Sequence, residues 1–419
     1  MTKRRCHLEE SFYASLERYG IIPLHQLRSF TGRDWVDSQT FHHILGPRVI
    51  EVALATWNST FPGERSLGLF PPLRVLRFNG DSQFNISSLC TVLLEALPHL
   101  EVLYAPTEPV PDNVLRHILS SSVLKELEIG NLPMDFGRCM PSGTPLRLRH
   151  FGSKIQRLEE CDEALASLDM SRLQSIKVHY LDEAEFPLAS EVQSWFKMVP
   201  EYCSTLLLTK IEYDGPWNSY TVDAREEHRI TVQTVEPLLQ FHNLEELVIT
   251  SHTGFSLDDE SLRVFARSWP RMRRLDLNSR GTGWSDIDDY NISLDGLAIL
   301  ADSWPHLEHL NLCLTARGDS FGDSIQDVDV ELENLNSKGA RGCWKLRSLG
   351  VGWDSPMEYR PIVVAAFLHG IFPNLSSILG LENTDIVGQS VLTEWEEVEE
   401  VLRYLVGLRQ RTLRTLRWG

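Results

Sequence analysis

A six-residue pattern, apolar-x-x-apolar-x-apolar, recurs along this chain and limits its fold more than any other feature. Clear copies are Val49–Leu54, Leu73–Phe78, Leu124–Ile129, Leu244–Ile249, Met272–Leu277, Leu307–Leu312, Leu346–Val351 and Leu413–Trp418. Weaker copies start at Leu100, Leu148, Leu173, Leu208 and Leu375. Successive starts lie 24 to 27 residues apart as far as Leu173 and 28 to 39 apart beyond it. A fixed period of this size marks stacked supersecondary units, each unable to bury its apolar side except against its neighbours.

What precedes the copies supplies the mechanism. An apolar-Pro step stands before several of them: Phe70-Pro71, Leu97-Pro98, Trp269-Pro270, Trp304-Pro305 and Phe372-Pro373. Proline drives the residue before it out of the α region, so a helix must stop there and the chain turns into a strand. Two neighbouring units superpose, Asp258–Leu277 on Ser293–Leu312. Asp258 and Ser293 are the expected N-caps, and Leu262, Phe265 and Trp269 match Leu297, Leu300 and Trp304 on one helical face. The expected fold is therefore α/β: a leucine-rich-repeat solenoid, a curved right-handed superhelix of irregular repeat length. Its parallel sheet would line the concave side and its helices the convex side. Residues 1–45 are expected to form an N-terminal helical or capping segment and 46–419 the repeat domain. At the far end, a helix opening at Trp395 with Val398, Val401, Leu402, Leu405 and Leu408 on one stripe is expected to lead into a last strand, Leu413–Trp418. Arg411, Arg414 and Arg417 would guard its open edge.

Composition narrows the function. Hydrophobic residues make up 42% of the chain and charged ones 23%, enough for a continuous core. A net charge of −18 repels phosphate backbones, so nucleic-acid binding is not expected. Seven cysteines, odd in number and without a C-x-x-C pair, suit reduced thiols better than disulfides or a zinc cluster. The N-terminal residues hold no apolar run of the kind a secretion signal needs, and no stretch approaches membrane-spanning length. The expectation is a cytoplasmic or nuclear protein, with the Asn-x-Ser/Thr triplets at Asn58, Asn85, Asn291 and Asn374 as chance matches.

The Trp-Pro-x-apolar-x-x-Leu-x-Leu units at Trp269 and Trp304 resemble those of the large fungal, basidiomycete-type group of F-box-like leucine-rich-repeat proteins. So does the segment Leu27-Arg28-Ser29-Phe30, Asp34-Trp35, Phe41 and Arg48–Val52, which looks like the passage that follows the F-box in that group. The resemblance covers roughly residues 23–419. It implies a substrate-receptor-like repeat domain of a ubiquitin ligase. Residues 1–22 are too short for the group's F-box and lack its Leu-Pro-x-Glu-Ile opening, so a cullin adaptor is an expected partner only if an F-box is supplied upstream.

Chemistry-bearing motifs are sparse. There is no His-Glu-x-x-His and no Gly-x-Ser-x-Gly, and His306-Leu307-Glu308-His309 is wrongly spaced for two ligands on one helical face. The acidic stretch Asp286–Glu333 lacks the order of a calcium loop and reads as a solvated insertion or a docking patch for a basic partner. Gly281-Thr282-Gly283 reads as a turn, and Trp217 and Trp284 as loop residues that pack or anchor a partner. No cofactor, metal site or catalysis is expected. The best candidates are the positions between the strand's apolar residues, which would point into the concave face: Arg77, Glu128, Lys177, Glu212, Val248, Asp276, Asn311 and Gly350, with Glu126, Lys210, Glu246, Arg274 and His309 beside them. Their mixed charges imply a polar surface for a protein partner, with no membrane role. The alternative is a stand-alone regulator that inhibits or activates a partner by binding it.

Overall fold

A computed structural model of the chain describes residues 28–32, 50–54, 73–78, 99–106, 110, 112–132, 136, 147–181, 186–216, 226–251, 253–279, 291–316, 343–352, 355, 357, 359–379 and 389–418. These residues fall into two compact units, Met1–Leu181 and Asp182–Gly419.

In the first unit seven parallel strands pair in chain order: β1 (Ser29–Gly32), β2 (Glu51–Leu54), β3 (Val75–Phe78), β4 (Val102–Ala105), β5 (Glu126–Asn131), β6 (His150–Ile155) and β7 (Ser175–Tyr180). Parallel neighbours need a crossover; helices α1 (Asp112–Leu119) and α2 (Leu158–Ser167) provide two of them. β1 lies inside the stretch expected to be helical or capping, and apart from it and Arg28 residues 1–45 fall outside the described residues, as do Phe70-Pro71 and Leu97-Pro98.

The second unit repeats the plan with longer connections. Strands β8 (Lys210–Asp214), β10 (Glu246–Ser251), β12 (Arg274–Ser279), β13 (His309–Leu312), β14 (Ser348–Val351) and β15 (Ser377–Leu379) pair in parallel, again in chain order. A two-stranded side sheet joins β9 (Ile230–Thr231) to β11 (Phe255–Ser256). Helices α3 (Ala189–Tyr202), α4 (Val232–Val235), α5 (Asp259–Ser268), α6 (Leu294–Ser303) and α7 (Pro361–Ile371) fill connections, and α8 (Gln389–Trp418) follows β15. This is the leucine-rich-repeat arrangement: a parallel sheet extended one unit at a time, with each unit's helix or turn packed behind its strand.

From β2 onward, every main-sheet strand starts two residues after the first apolar position of its six-residue copy. The leading apolar residue closes the corner, and the next two apolar residues alternate into the core. Leu244, Leu247 and Ile249 are fully buried in this way, as are Met272 and Leu275. The helices end at the aromatic that precedes the proline. Trp269 (φ −120°, ψ 68°), Trp304 (φ −117°, ψ 74°) and Phe372 (φ −125°, ψ 75°) share one C-cap geometry. Each is fully buried and accepts the amide of the leading apolar residue of its strand, Met272, Leu307 and Leu375 at 3.2, 3.1 and 3.0 Å.

The caps are as expected. The Asp258 carboxylate accepts from Ser261 N (2.8 Å), and the Ser293 hydroxyl accepts from Asp295 N (3.1 Å). Ser293 also donates its amide and hydroxyl to Asp259 of the preceding helix, at 2.8 and 2.6 Å. Gly296 permits that approach, because a Cβ there would sit 2.3 Å from Asp259 Oδ1.

The expected last strand is not formed. Leu413–Trp418 belong to α8, a single helix from Gln389 to Trp418. Leu413 and Leu416 are three apart, which suits a helix as well as a strand. No aromatic-proline or equivalent corner precedes Leu413, so nothing stops the helix. The last strand of this sheet is β15, against which α8 packs. Arg411 and Arg414 therefore stand on a helix and guard no strand edge. The buried stripe of α8 is Trp395, Val398, Leu402 and Val406, whereas Leu408 is exposed.

Candidate functional site

The alternation that buries one side of each strand puts the intervening residues on the opposite, helix-free face. Parallel register lines them up across the sheet. In the first unit, Arg77 of β3 stands beside Tyr104 of β4, then Glu128 of β5, Gly152 of β6 and Lys177 of β7. In the second, Glu212 of β8 stands beside Val248, Asp276, Asn311 and Gly350. One pleat lower, Lys210, Glu246, Arg274 and His309 make a second row. The residues singled out from sequence thus fall into one row in the first unit and two in the second, with Glu126 one pleat below Glu128.

Glu128 is the least expected of them, since its residue is only 5% exposed. Its carboxylate accepts from His150 Nε2 and pairs with Lys177 Nζ, both at 3.3 Å. Burial alone pushes the Glu128 carboxyl up, but the His150 hydrogen bond and the Lys177 charge outweigh it and hold the group below its ordinary value. Gly152 makes this reach possible: a Cβ there would lie 2.8 Å from Glu128 Cγ. Glu128 therefore leans across one whole strand to meet a cation on the next. Arg77 Nε approaches Glu51 at 3.9 Å on the other side of the row.

The second unit uses the same device. Asn311 Nδ2 donates to Asp276 Oδ1, and Arg274 Nη2 donates to Asp276 Oδ2, each at 2.9 Å. Asn311 lies over Gly350, where a Cβ would be 2.4 Å from its Oδ1. Lys210 bridges Glu246 at 3.0 Å and Glu212 at 3.7 Å. Val248, flanked in register by Glu212 and Asp276, is buried, whereas His309 is exposed. Side chains held by two partners have already lost much of their rotamer freedom, so a ligand that meets them has less ordering to do.

Sequence reasoning missed Tyr104, Gly152 and His150 on the first face. The signal was present, because Leu100 and Leu148 begin weaker copies whose in-between positions are these residues. It also missed the corner at Phe241, which has no proline. There Phe241 O accepts from Leu244 N at 2.9 Å, and Asn243 Nδ2 donates to Leu206 O at 3.0 Å. Asn374 makes the matching bond to Trp344 O (2.6 Å), which gives that Asn-x-Ser triplet a structural role.

Other candidates separate cleanly. Trp217, Trp284, Gly281–Gly283 and the acidic residues singled out between Asp286 and Glu333 lie outside the described residues. Cys161, Cys203, Cys313 and Cys343 are buried thiols outside any disulfide, and burial pushes the Cys203 thiol up to about 12, far from the thiolate a nucleophile needs. Among the described residues no three His, Cys, Asp or Glu side chains are grouped to hold a metal ion, and no helix is long and apolar enough to cross a membrane.

No protein-family model matches the chain, and no curated protein matches it. Among solved structures, it is similar to the crystal structure of the Rad7 and Elc1 complex in yeast, with 14% identity and a TM-score of 0.40 over 91% of this chain and 84% of that one. It is also similar to the leucine-rich-repeat-containing protein LegL7 from Legionella pneumophila, with 15% identity and a TM-score of 0.33 over 89% of this chain and 98% of that one. The likeness is one of arrangement, and the leucine-rich-repeat assignment rests on the strands, corners and register described above.

Proposed function

We propose that the chain is a protein-interaction module that binds its partner on the helix-free faces of its sheets. The observation that carries this reading is the pair of in-register rows, in which polar side chains are fixed by cross-strand bonds over Gly152 and Gly350. Such a surface offers donors and acceptors at a fixed strand spacing, and its mixed charges suit a polar protein surface better than an apolar small molecule. The finer form of the proposal follows the resemblance of the Trp269 and Trp304 units: a substrate-receptor-like repeat domain of an F-box-like, ubiquitin-ligase kind, working in the cytosol or nucleus.

The test is quantitative affinity capture followed by mass spectrometry. Proteins retained by the intact chain should be lost when Arg77, His309 and Lys210 are changed to Ala, and kept when exposed Arg116, Arg263 and Arg267 on helices are changed instead. Equal loss from both sets would sink the reading. For the finer form, capture with the chain alone and with the chain joined to an F-box upstream should recover a cullin adaptor only with the joined form. Failure to recover one from either would remove the ligase assignment and leave the binding face standing.

A further inference from the structure

The acidic surplus of the chain is not shared between its two units. Met1–Leu181 holds 19 Lys and Arg against 20 Asp and Glu, whereas Asp182–Gly419 holds 21 against 38. The helix-free faces differ in the same sense. In the second unit the shared groups are cations, Lys210 between Glu212 and Glu246, and Arg273 between Glu245 and Glu308. In the first they are carboxylates. Glu101 lies between Arg74 and Lys125, at 3.3 and 2.6 Å, and Glu128 between His150 and Lys177.

The basic character of the first face gathers on β6 and β7. From Arg149 to Ile155 and from Gln174 to Tyr180 there is no Asp or Glu, while Arg149, His150, Lys154, Lys177 and His179 all fall there. His150 and Lys154 alternate with buried Phe151, Ser153 and Ile155, and Lys177 and His179 with buried Ile176, Val178 and Tyr180, which puts all four on the helix-free side. Register sets Lys154 beside His179. Glu128 spends both carboxylate oxygens on His150 and Lys177. Arg149 is exposed and Lys154 half-buried, and neither has a side-chain hydrogen bond or ion pair with another described residue. Two cations are thus uncommitted, about 16 Å apart along the β6 segment.

Salt screens charges beyond about 8 Å at physiological ionic strength, so a group that reaches the face responds to this strip more than to the chain's net charge. Its surroundings choose among anionic partners. Glu126 stands beside His150 in register, and a phosphodiester strand, charged at every step, would meet it with a phosphate. A bilayer surface needs apolar side chains to enter it. The large apolar side chains exposed among the described residues of this unit are Ile50, ahead of β2, and Val123, ahead of β5, both off the strip. A polypeptide with spaced carboxylates, and backbone donors and acceptors between them, meets these conditions.

We propose that β6 and β7 form a docking strip for an acidic segment of a partner protein, an extended run of about six residues. Its end carboxylates meet Arg149 and Lys154, and one between them meets Lys177. This assignment rests on the reading of the sheet faces as binding surfaces and adds the sign of what the first one takes.

Fluorescence anisotropy of the full chain with a fluorescein-labelled octaglutamate peptide tests it. The expected result is saturable binding tighter than about 1 mM, with none by an octaglutamine peptide. Arg149→Ala with Lys154→Ala should weaken it by about fivefold or more at an unchanged melting temperature. Arg116→Ala with Arg267→Ala removes the same charge from exposed positions on α1 and α5 and should weaken it by less than about twofold. No binding of octaglutamate, or equal weakening by both pairs, overturns the proposal. So does tighter binding of an octathymidylate or of phosphatidylserine vesicles, which would make phosphate the ligand. If octaglutamate fails while capture of a partner still depends on Arg77, His309 and Lys210, the acidic segment is excluded and the binding face stands.

Discussion

At the residue scale, two glycines decide what the sheet faces can present. Gly152 and Gly350 are needed because a neighbour's side chain occupies the place of their Cβ, without any special backbone angle. Gly152→Ala should displace Glu128 from Lys177 and lower stability by about 1–3 kcal/mol, the usual cost of overpacking a fitted site. Glu128→Gln should give a loss of similar size near neutral pH. Because the folded Glu128 carboxyl is held below its ordinary value, its stabilisation is complete above the unfolded pKa of about 4.3 and is lost as pH falls through the lower folded value. Urea denaturation at pH 7 and at pH 3 should therefore show the gap between variant and parent closing in acid. Asp162 on α2 behaves in the opposite sense. Burial, with help from Glu159, pushes its carboxyl up to about 6, and its Oδ1 is buried with no hydrogen-bond partner. Its penalty is absent below the unfolded pKa and grows until pH passes the folded one. Asp162→Asn should therefore stabilise the protein by about 1 kcal/mol at pH 7.5, after allowance for solvent screening, and give no gain near pH 3.

At the scale of elements, the corner that turns helix into strand was legible because proline leaves a mark in the sequence. Trp269, Trp304 and Phe372 were predicted as helix ends from that mark, and they share one backbone geometry. Phe241 makes a comparable corner without proline, at φ −85° and ψ 70°, and leaves no such sign. The terminal helix shows the converse. Its Leu413–Trp418 copy of the repeat pattern lacks a corner in front of it, and the pattern alone does not make a strand. Gly407 is this helix's weakest residue, as its Cβ-less backbone gains nothing from an open surround. Gly407→Ala should stabilise α8 by about 0.5–1 kcal/mol, seen as a higher melting temperature with unchanged spectra at room temperature. A lower melting temperature would show that the position carries a constraint beyond helix propensity.

At the scale of the whole molecule, a repeat stack holds each unit mainly through its neighbours, so damage at one end should spread inward by degrees. Trp395 closes the end of the second unit: it is buried, and its indole N–H donates to Ser355 O at 3.0 Å. Trp395→Ala should cost about 3–5 kcal/mol. In native-state hydrogen exchange, the amides of β14 and β15 should lose protection first, while those of β10 and β12 keep theirs. Uniform loss across all six strands would mean that the unit unfolds as one block.

The sequence by itself determined the repeat, the strand positions from β2 to β15 in the main sheet, and the side of each strand that faces the core. These depend on apolar spacing, on caps and on proline, all local in the chain. It also placed Arg77, Glu128, Lys177, Glu212, Asp276, Asn311, Arg274 and His309 on the helix-free side. Only the tertiary structure decided how those residues pair across strands, because Glu128 meets His150 and Lys177, and Asp276 meets Asn311, through cross-strand register and the room above two glycines. It also decided that Leu413 stays on a helix, since forming a strand there required a corner to release the chain toward β15, and the sequence provides none.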